Sequence, residues 1–160
     1  MAKQIRLGLV AVLAFGLVGL ASAEVASAAS GRGAATSGTV VKLRKTSLGK
    51  VLVGPNGRSL YVLTADGKNR SHCNALCRYG WPPLMTSGKP RAGTGVNAAK
   101  LGQTANHQVT YHGKPLYYYA QDSEAGQTNG EGIQSFGGYW YLVNAKGRDV
   151  RPPVASGGGY

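Results

Sequence analysis

Leu116-Tyr117-Tyr118-Tyr119-Ala120-Gln121-Asp122 is the stretch that organises this chain, because it has an earlier echo in Leu60-Tyr61-Val62-Leu63-Thr64-Ala65-Asp66. In each copy a glycine stands three residues before the leucine (Gly57, Gly113), a valine-containing run precedes that glycine, and a tryptophan follows the aspartate (Trp81, Trp140). Such self-similarity marks one supersecondary unit used twice. Side chains alternate along a strand, so Tyr117 and Tyr119 face one side and Tyr118 the other. Tyr61 and Tyr117 read as core residues whose hydroxyls reach a buried acceptor.

Outward from these copies the chain reads as β structure. Thr39–Leu43 and Lys50–Val53 are short β-prone runs, and Gly54-Pro55-Asn56-Gly57 is a turn, so residues 50–63 predict a hairpin. Trp81-Pro82-Pro83-Leu84 must be extended, since the first proline disfavours helix at Trp81 and neither proline donates to a ladder. Residues 72–80 have room for one helical turn, 86–95 for a loop, and 96–101 for a short helix with Asn97 at its start. A second hairpin follows, from His107–Tyr111 through His112-Gly113 to Lys114–Tyr119, and Gly138–Val143 is the last clear strand. No long stretch carries a 3.6-residue apolar period. The expected fold is mostly β: two tandem repeats (46–84 and 102–143) packed with pseudo-twofold symmetry, as a small sandwich or barrel-like domain with short helical turns. Neither half has strands enough to hide an apolar face alone.

The ends are of another kind. Lys3 and Arg6 precede an apolar run from Leu7 to Leu20, followed by Ala21-Ser22-Ala23 and Ala26-Ser27-Ala28, which reads as a secretory signal peptide over 1–28. The competing reading is an N-terminal anchor helix that stays uncut. Small polar residues over 29–38 read as a linker, and 151–160 as a frayed tail, leaving 39–150 for the duplicated domain. No other stretch is apolar enough to span a bilayer.

The charge is lopsided. The whole chain carries 18 Lys and Arg against six acids, a formal net charge of +12. Such a field attracts polyanions without sequence-specific nucleic-acid recognition; outside the cytoplasm an anionic envelope polymer or polysaccharide is the candidate partner. The plainer reading is a solubilising surface, since the charges are scattered.

Three residue groups invite chemistry. Asp66 and Asp122 are either a ligand contact used twice or strand-ending carboxylates that accept downstream backbone N–H groups. Tyr118, which has Val62 in its place in the first copy, is a possible ligand contact through aromatic stacking or an ordinary packed tyrosine. Cys73 and Cys77 are the only cysteines, and in an oxidising compartment they pair by default. The alternative is a soft metal site of His72, Cys73, Cys77 and Met85 suited to copper(I), in an extracytoplasmic copper-binding or electron-transfer protein. An i, i+4 pair in a regular helix holds its Cβ atoms farther apart than a disulfide prefers, so a bridge here requires a distorted turn. Nucleophile-elbow, zinc-protease, phosphate-loop and dinucleotide patterns are absent from the sequence, so neither an enzyme nor a cofactor is expected.

Leu60-Tyr61 through Asp66, Cys73-x-x-x-Cys77, Trp81-Pro82-Pro83-Leu84, Leu116-Tyr117-x-Tyr119-x-x-Asp122 and Gly137-Gly138-x-Trp140-Tyr141 together resemble the bacterial secreted-repeat family of predicted lipoproteins with a Y-x-[FWY]-x-x-D motif. The resemblance spans roughly residues 46–147. Leu63 replaces the motif aromatic in the first copy, and the lipid-attachment cysteine of many members is missing. The resemblance implies export and tandem repeats, makes Tyr61, Asp66, Trp81, Tyr117, Tyr119, Asp122 and Trp140 a structural motif, and implies no established activity. The resulting expectation is a secreted or envelope-associated, non-enzymatic β module.

Overall fold

The computed structural model describes residues 38–151. The expected leader, the linker apart from Gly38, and the tail apart from Arg151 lie outside the described residues. Ten short strands run in the order β1 (Val40–Thr46), β2 (Gly49–Val53), β3 (Tyr61–Leu63), β4 (Arg91–Ala92), β5 (Leu101–Gln103), β6 (Val109–Tyr111), β7 (Lys114–Pro115), β8 (Gln134–Ser135), β9 (Gly138–Val143) and β10 (Asp149–Val150). Among the described residues one helix, α1 (Ala75–Gly80), lies between β3 and β4, and a 3-10 turn over Ala98–Lys100 precedes β5. The strands form three small packed sheets: β2-β1-β4, β10-β9-β3 with β8 also on β9, and β5-β6-β7. None closes into a barrel among the described residues.

The duplication is structural. Leu60 N–H donates to Leu52 O at 2.9 Å, and Leu116 N–H donates to Val109 O at the same distance. Thr64 N–H reaches Tyr139 O at 2.9 Å, and its counterpart Ala120 N–H reaches Gly80 O at 2.8 Å. Asp66 N–H turns back to Leu63 O and Asp122 N–H to Tyr119 O, both at 3.1 Å. Tyr61 and Tyr117 sit on the approximate dyad and exchange both backbone bonds, at 2.8 and 3.0 Å.

The halves do more than pack: they exchange strands. Tyr61 of the first repeat pairs with Leu142 of the second, two residues past Trp140. Tyr117 of the second pairs with Pro83 of the first, two residues past Trp81. The two prolines tolerate this ladder because only their carbonyls are asked for: Pro82 O accepts from Tyr118 N–H at 2.8 Å, and the next donor needed is Leu84 N–H, which reaches Leu116 O at 2.9 Å.

Some expectations are corrected. The hairpin expected over residues 50–63 is present but short: Gly54 N–H meets Arg58 O at 3.0 Å, Val53 bridges Ser59 and Leu60 N–H meets Leu52 O at 2.9 Å, while β2 also pairs along its length with β1 and the chain from Tyr61 on crosses to β9. The loop 86–95 contains β4, which lies parallel to β1, and β9 is followed by β10. The turn at His112-Gly113 stands as expected, both residues having positive φ (52° and 78°), the primed-turn geometry that matches strand twist.

Two buried clusters result. The first holds Val51, Val53, Tyr61, Leu63, both cysteines, Trp81, Tyr117, Trp140 and Leu142, with Tyr119 packed against it. The second holds Val41, Leu52, Leu60, Val62, Leu84, Val109, Tyr111, Leu116 and Val143, with Tyr118 against it. The alternation read from the sequence therefore assigns Tyr117 and Tyr119 to one cluster and Tyr118 to the other.

Candidate functional site

The motif residues converge on the dyad. Trp81 and Trp140 stack with ring centroids 3.9 Å apart and planes 2° from parallel. Each is met edge-on by a tyrosine: Tyr61 on Trp81 at 5.5 Å, Tyr117 on Trp140 at 5.1 Å. Tyr119 lies over the other side of Trp81 at 4.4 Å. Aromatic pairs of these geometries add about 0.5–1.5 kcal/mol each beyond area burial.

The hydroxyls of these tyrosines then cross the dyad. Tyr61 OH donates to Asp122 Oδ2 at 2.6 Å, and Tyr117 OH donates to Asp66 Oδ2 at 2.7 Å. The other oxygen of each carboxylate accepts a backbone N–H: His72 N–H at 2.7 Å for Asp66, Asn129 N–H at 3.0 Å for Asp122. Each aspartate thus ties its own downstream loop to the tyrosine of the opposite repeat, which joins the two sequence readings of the carboxylate into one. The donors lie six and seven residues on, so each loop closed is wider than a simple Asx-turn. Burial raises the hydroxyl pKa of both tyrosines well above the ordinary phenol range, and the facing aspartates add to the rise. They therefore donate as neutral phenols.

The two clasps differ in exposure. Asp122 is fully buried, whereas Asp66 is half-buried, shares Tyr117 OH with Ser71 Oγ (2.7 Å), and forms part of the wall of a depression with Lys68, His112, Lys114 and Asp149. Burial raises the Asp66 carboxyl pKa; the donors His72 N–H and Tyr117 OH oppose the rise.

Cys73 and Cys77 form a disulfide, with Cα atoms 5.3 Å apart. The bridge forms because Cys73 stands outside the helix: α1 begins after Asn74, whose extended backbone (ψ −175°) caps it and whose Oδ1 accepts Cys77 N–H at 2.9 Å. The sulfurs are thereby bonded to each other, and His72 Nδ1 faces Ala65 O at 2.7 Å, so the copper alternative has no support. Among the described residues no group of three or more His, Cys, Asp or Glu is placed to hold a metal ion. Met85, half exposed, lines a groove beside Arg70 and Arg78 instead. Tyr118 has Arg58 over its ring at 5.1 Å, and a Cβ on Gly54 would collide with its hydroxyl. Sequence reasoning did not single out Arg70 and Arg78, which stand eight residues apart with no local pattern joining them.

The fold and the crossed clasps define a class: a duplicated, strand-exchanged β module stapled by one disulfide. The sequence model of a family described as a secreted repeat of unknown function matches residues 99–144, the span of the second repeat. The first repeat lies outside the matched span and is related to the second by the equivalent hydrogen bonds described above. No curated protein and no solved structure matched the chain. The family's export agrees with the disulfide, which is at home outside the cytoplasm. Among the described residues no helix is long and apolar enough to cross a membrane.

Proposed function

We propose that this secreted module works by binding rather than by catalysis, and that its partner is an anionic polymer or polysaccharide of the cell envelope. The disposition of charge supports this reading. Of the 18 Lys and Arg, all but Lys3, Arg6 and Arg32 lie in the described span, as do all the acids but Glu24. Of the five acids there Glu124 is exposed, Asp122 is buried and the other three are half-buried, and those four are engaged by donors. Asp66 and Asp122 are held in the clasps, Glu131 accepts Leu142 N–H at 2.6 Å, and Asp149 is paired with Lys114 at 2.5 Å. Among the described residues Lys114 and Arg151 alone lie within ion-pair distance of a carboxylate. The field presented to solvent is therefore strongly positive and concentrates polyanions. The repeated carboxylates, each already holding two donors, are poorly placed to act as a general acid and base.

The test is retention of the purified protein on envelope polymer, and on an anionic resin, across a salt gradient. Elution should advance steadily as added ions screen the contacts. Retention indifferent to salt overturns the reading.

A further inference from the structure

Beside the Asp66–Tyr117 clasp the surface sinks into a groove of about 250 Å³, whose walls include Arg70, Arg78, Thr104, Asn106, Gln108 and Met85. Among the described residues that line it there is no carboxylate. Neither guanidinium is among the residues paired with an acid in the described span.

Both arginines stand on backbone that the clasp and the disulfide hold in place. Arg70 closes a two-way turn with Gly67 at 3.0 and 3.1 Å, and His72, two residues on, is the N–H donor to Asp66. Asn69, just before Arg70, has φ of 54°, a left-handed conformation that asparagine tolerates better than most residues. It is pinned to the second repeat: its N–H reaches Gly113 O at 2.7 Å, and its Oδ1 accepts Thr110 Oγ1–H at 3.1 Å. Arg78 donates Nε–H to Cys73 O at 3.3 Å, from a helix tied down by the bridge. That contact occupies one edge of the guanidinium, and its terminal nitrogens are left for another acceptor.

The part of the lining supplied by Gln108 is asymmetric between the halves. Gln108 precedes Val109, whose carbonyl receives Leu116 N–H; Val51 precedes Leu52, whose carbonyl receives Leu60 N–H. Gln108 and Val51 are therefore equivalent places. Val51 is sealed in the core, with Leu48, Ile133 and Val150 packed against that cluster. Gln108 is 4% exposed, donates Nε2–H to Leu116 O at 3.0 Å, and lines the groove. A buried amide thus stands where the symmetric half has a hydrocarbon.

We propose that this groove is the binding site for one charged unit of an anionic saccharide or polyol chain. The two guanidinium groups would hold its carboxylate or phosphate, and Thr104, Asn106 and Gln108 its hydroxyls. The inference rests on the anionic-polymer reading and narrows it to one place. Planar guanidinium forks match carboxylate and phosphate bidentately. The volume is below the roughly 300–1,000 Å³ of drug-sized pockets, which suits one unit of a chain. Preformed backbone under both arginines reduces the ordering cost of binding.

The experiment titrates the mature secreted protein with three oligomers of equal length: a uronic-acid oligosaccharide, a polyol-phosphate oligomer and a neutral oligosaccharide. Alongside it run Arg70→Ala/Arg78→Ala, Arg78→Lys, and Lys42→Ala/Lys45→Ala, which removes the same charge from β1. One anionic probe should bind, which tells carboxylate from phosphate, and the neutral one should not. The groove double variant should weaken that binding by about tenfold or more, because charge-assisted bonds are lost, while the β1 variant changes it by no more than about threefold. Arg78→Lys, which keeps the charge and loses the fork, should also weaken it severalfold. Equal losses in both double variants, or an unaltered Arg78→Lys, overturn the groove and leave the general anionic reading standing. Failure of the parent protein to bind either anionic probe overturns both.

Discussion

The half of the molecule around Asp122 and the half around Asp66 are built on the same hydrogen bonds and end differently. Around Asp122 the following loop folds back over the clasp: Asn129 N–H meets the carboxylate, Gly130 N–H reaches Tyr61 OH at 3.3 Å, and the aspartate is fully buried. Around Asp66 the corresponding loop leads into the disulfide and α1, and the carboxylate keeps a solvent-facing side. One motif therefore serves as core in one copy and as the edge of an open surface in the other. The lesson is that duplication preserves the backbone frame, while the segment after each aspartate decides whether the frame is sealed or left accessible.

The largest expected effect tests what the halves share. Trp81→Ala and Trp140→Ala should each cost about 3–5 kcal/mol, since each removes a fully packed aromatic from the stack on the dyad. Chemical denaturation of the two variants measures this; a cost below about 1 kcal/mol in either would break the symmetry argument. The next effect separates the halves. Asp122→Ala leaves Tyr61 OH and Asn129 N–H without their buried acceptor and should cost about 3 kcal/mol. Asp66→Ala should cost about 1–2 kcal/mol, because Ser71 Oγ and water remain to satisfy Tyr117 OH. Equal costs would mean that the difference in burial carries no energetic weight.

The smallest effect is one of pH. Burial pushes the Glu131 carboxyl up to about 7; Leu142 N–H opposes the shift and Asp149 adds to it. Its Oε1 is buried without a partner, which accords with a protonated, neutral acid. With the folded pKa above the unfolded one, the folded state holds more protons between pH about 4.5 and about 7. That contribution to stability is fully present below this window and is lost as pH rises through it. The melting temperature should fall modestly from pH 5 to 7.5. Glu131→Gln should flatten the slope. An unchanged slope in that variant would remove Glu131 from the explanation.

Much of this frame was legible in the sequence. The paired Leu-Tyr to Asp stretches gave the repeats, alternation along Tyr117–Tyr119 put Tyr118 on the face opposite its two neighbours, and the two prolines after Trp81 required an extended segment. Asn97 is the cap it was expected to be, its Oδ1 accepting Ala99 N–H at 2.9 Å. The strand exchange was not legible, because a period of two says which face a side chain takes and nothing about which strand lies beside it. For the same reason the tyrosines could be placed in the core but not matched to the aspartates of the opposite copy. The β1–β2 hairpin was missed because Arg44-Lys45-Thr46-Ser47 carries no apolar alternation, and β4 and β10 are two residues each, too short for any pattern. The groove was hidden because Arg70, Arg78 and Gln108 meet only through the fold.

The crossed pairing is tested most directly by double-mutant cycles on stability, using Tyr→Phe with Asp→Asn. Tyr61→Phe with Asp122→Asn, and Tyr117→Phe with Asp66→Asn, should show coupling of about 1 kcal/mol or more, while Tyr61 with Asp66 and Tyr117 with Asp122 should be additive within about 0.5 kcal/mol. Strong coupling within each repeat and additivity between repeats would contradict the exchange of partners on which the fold is built.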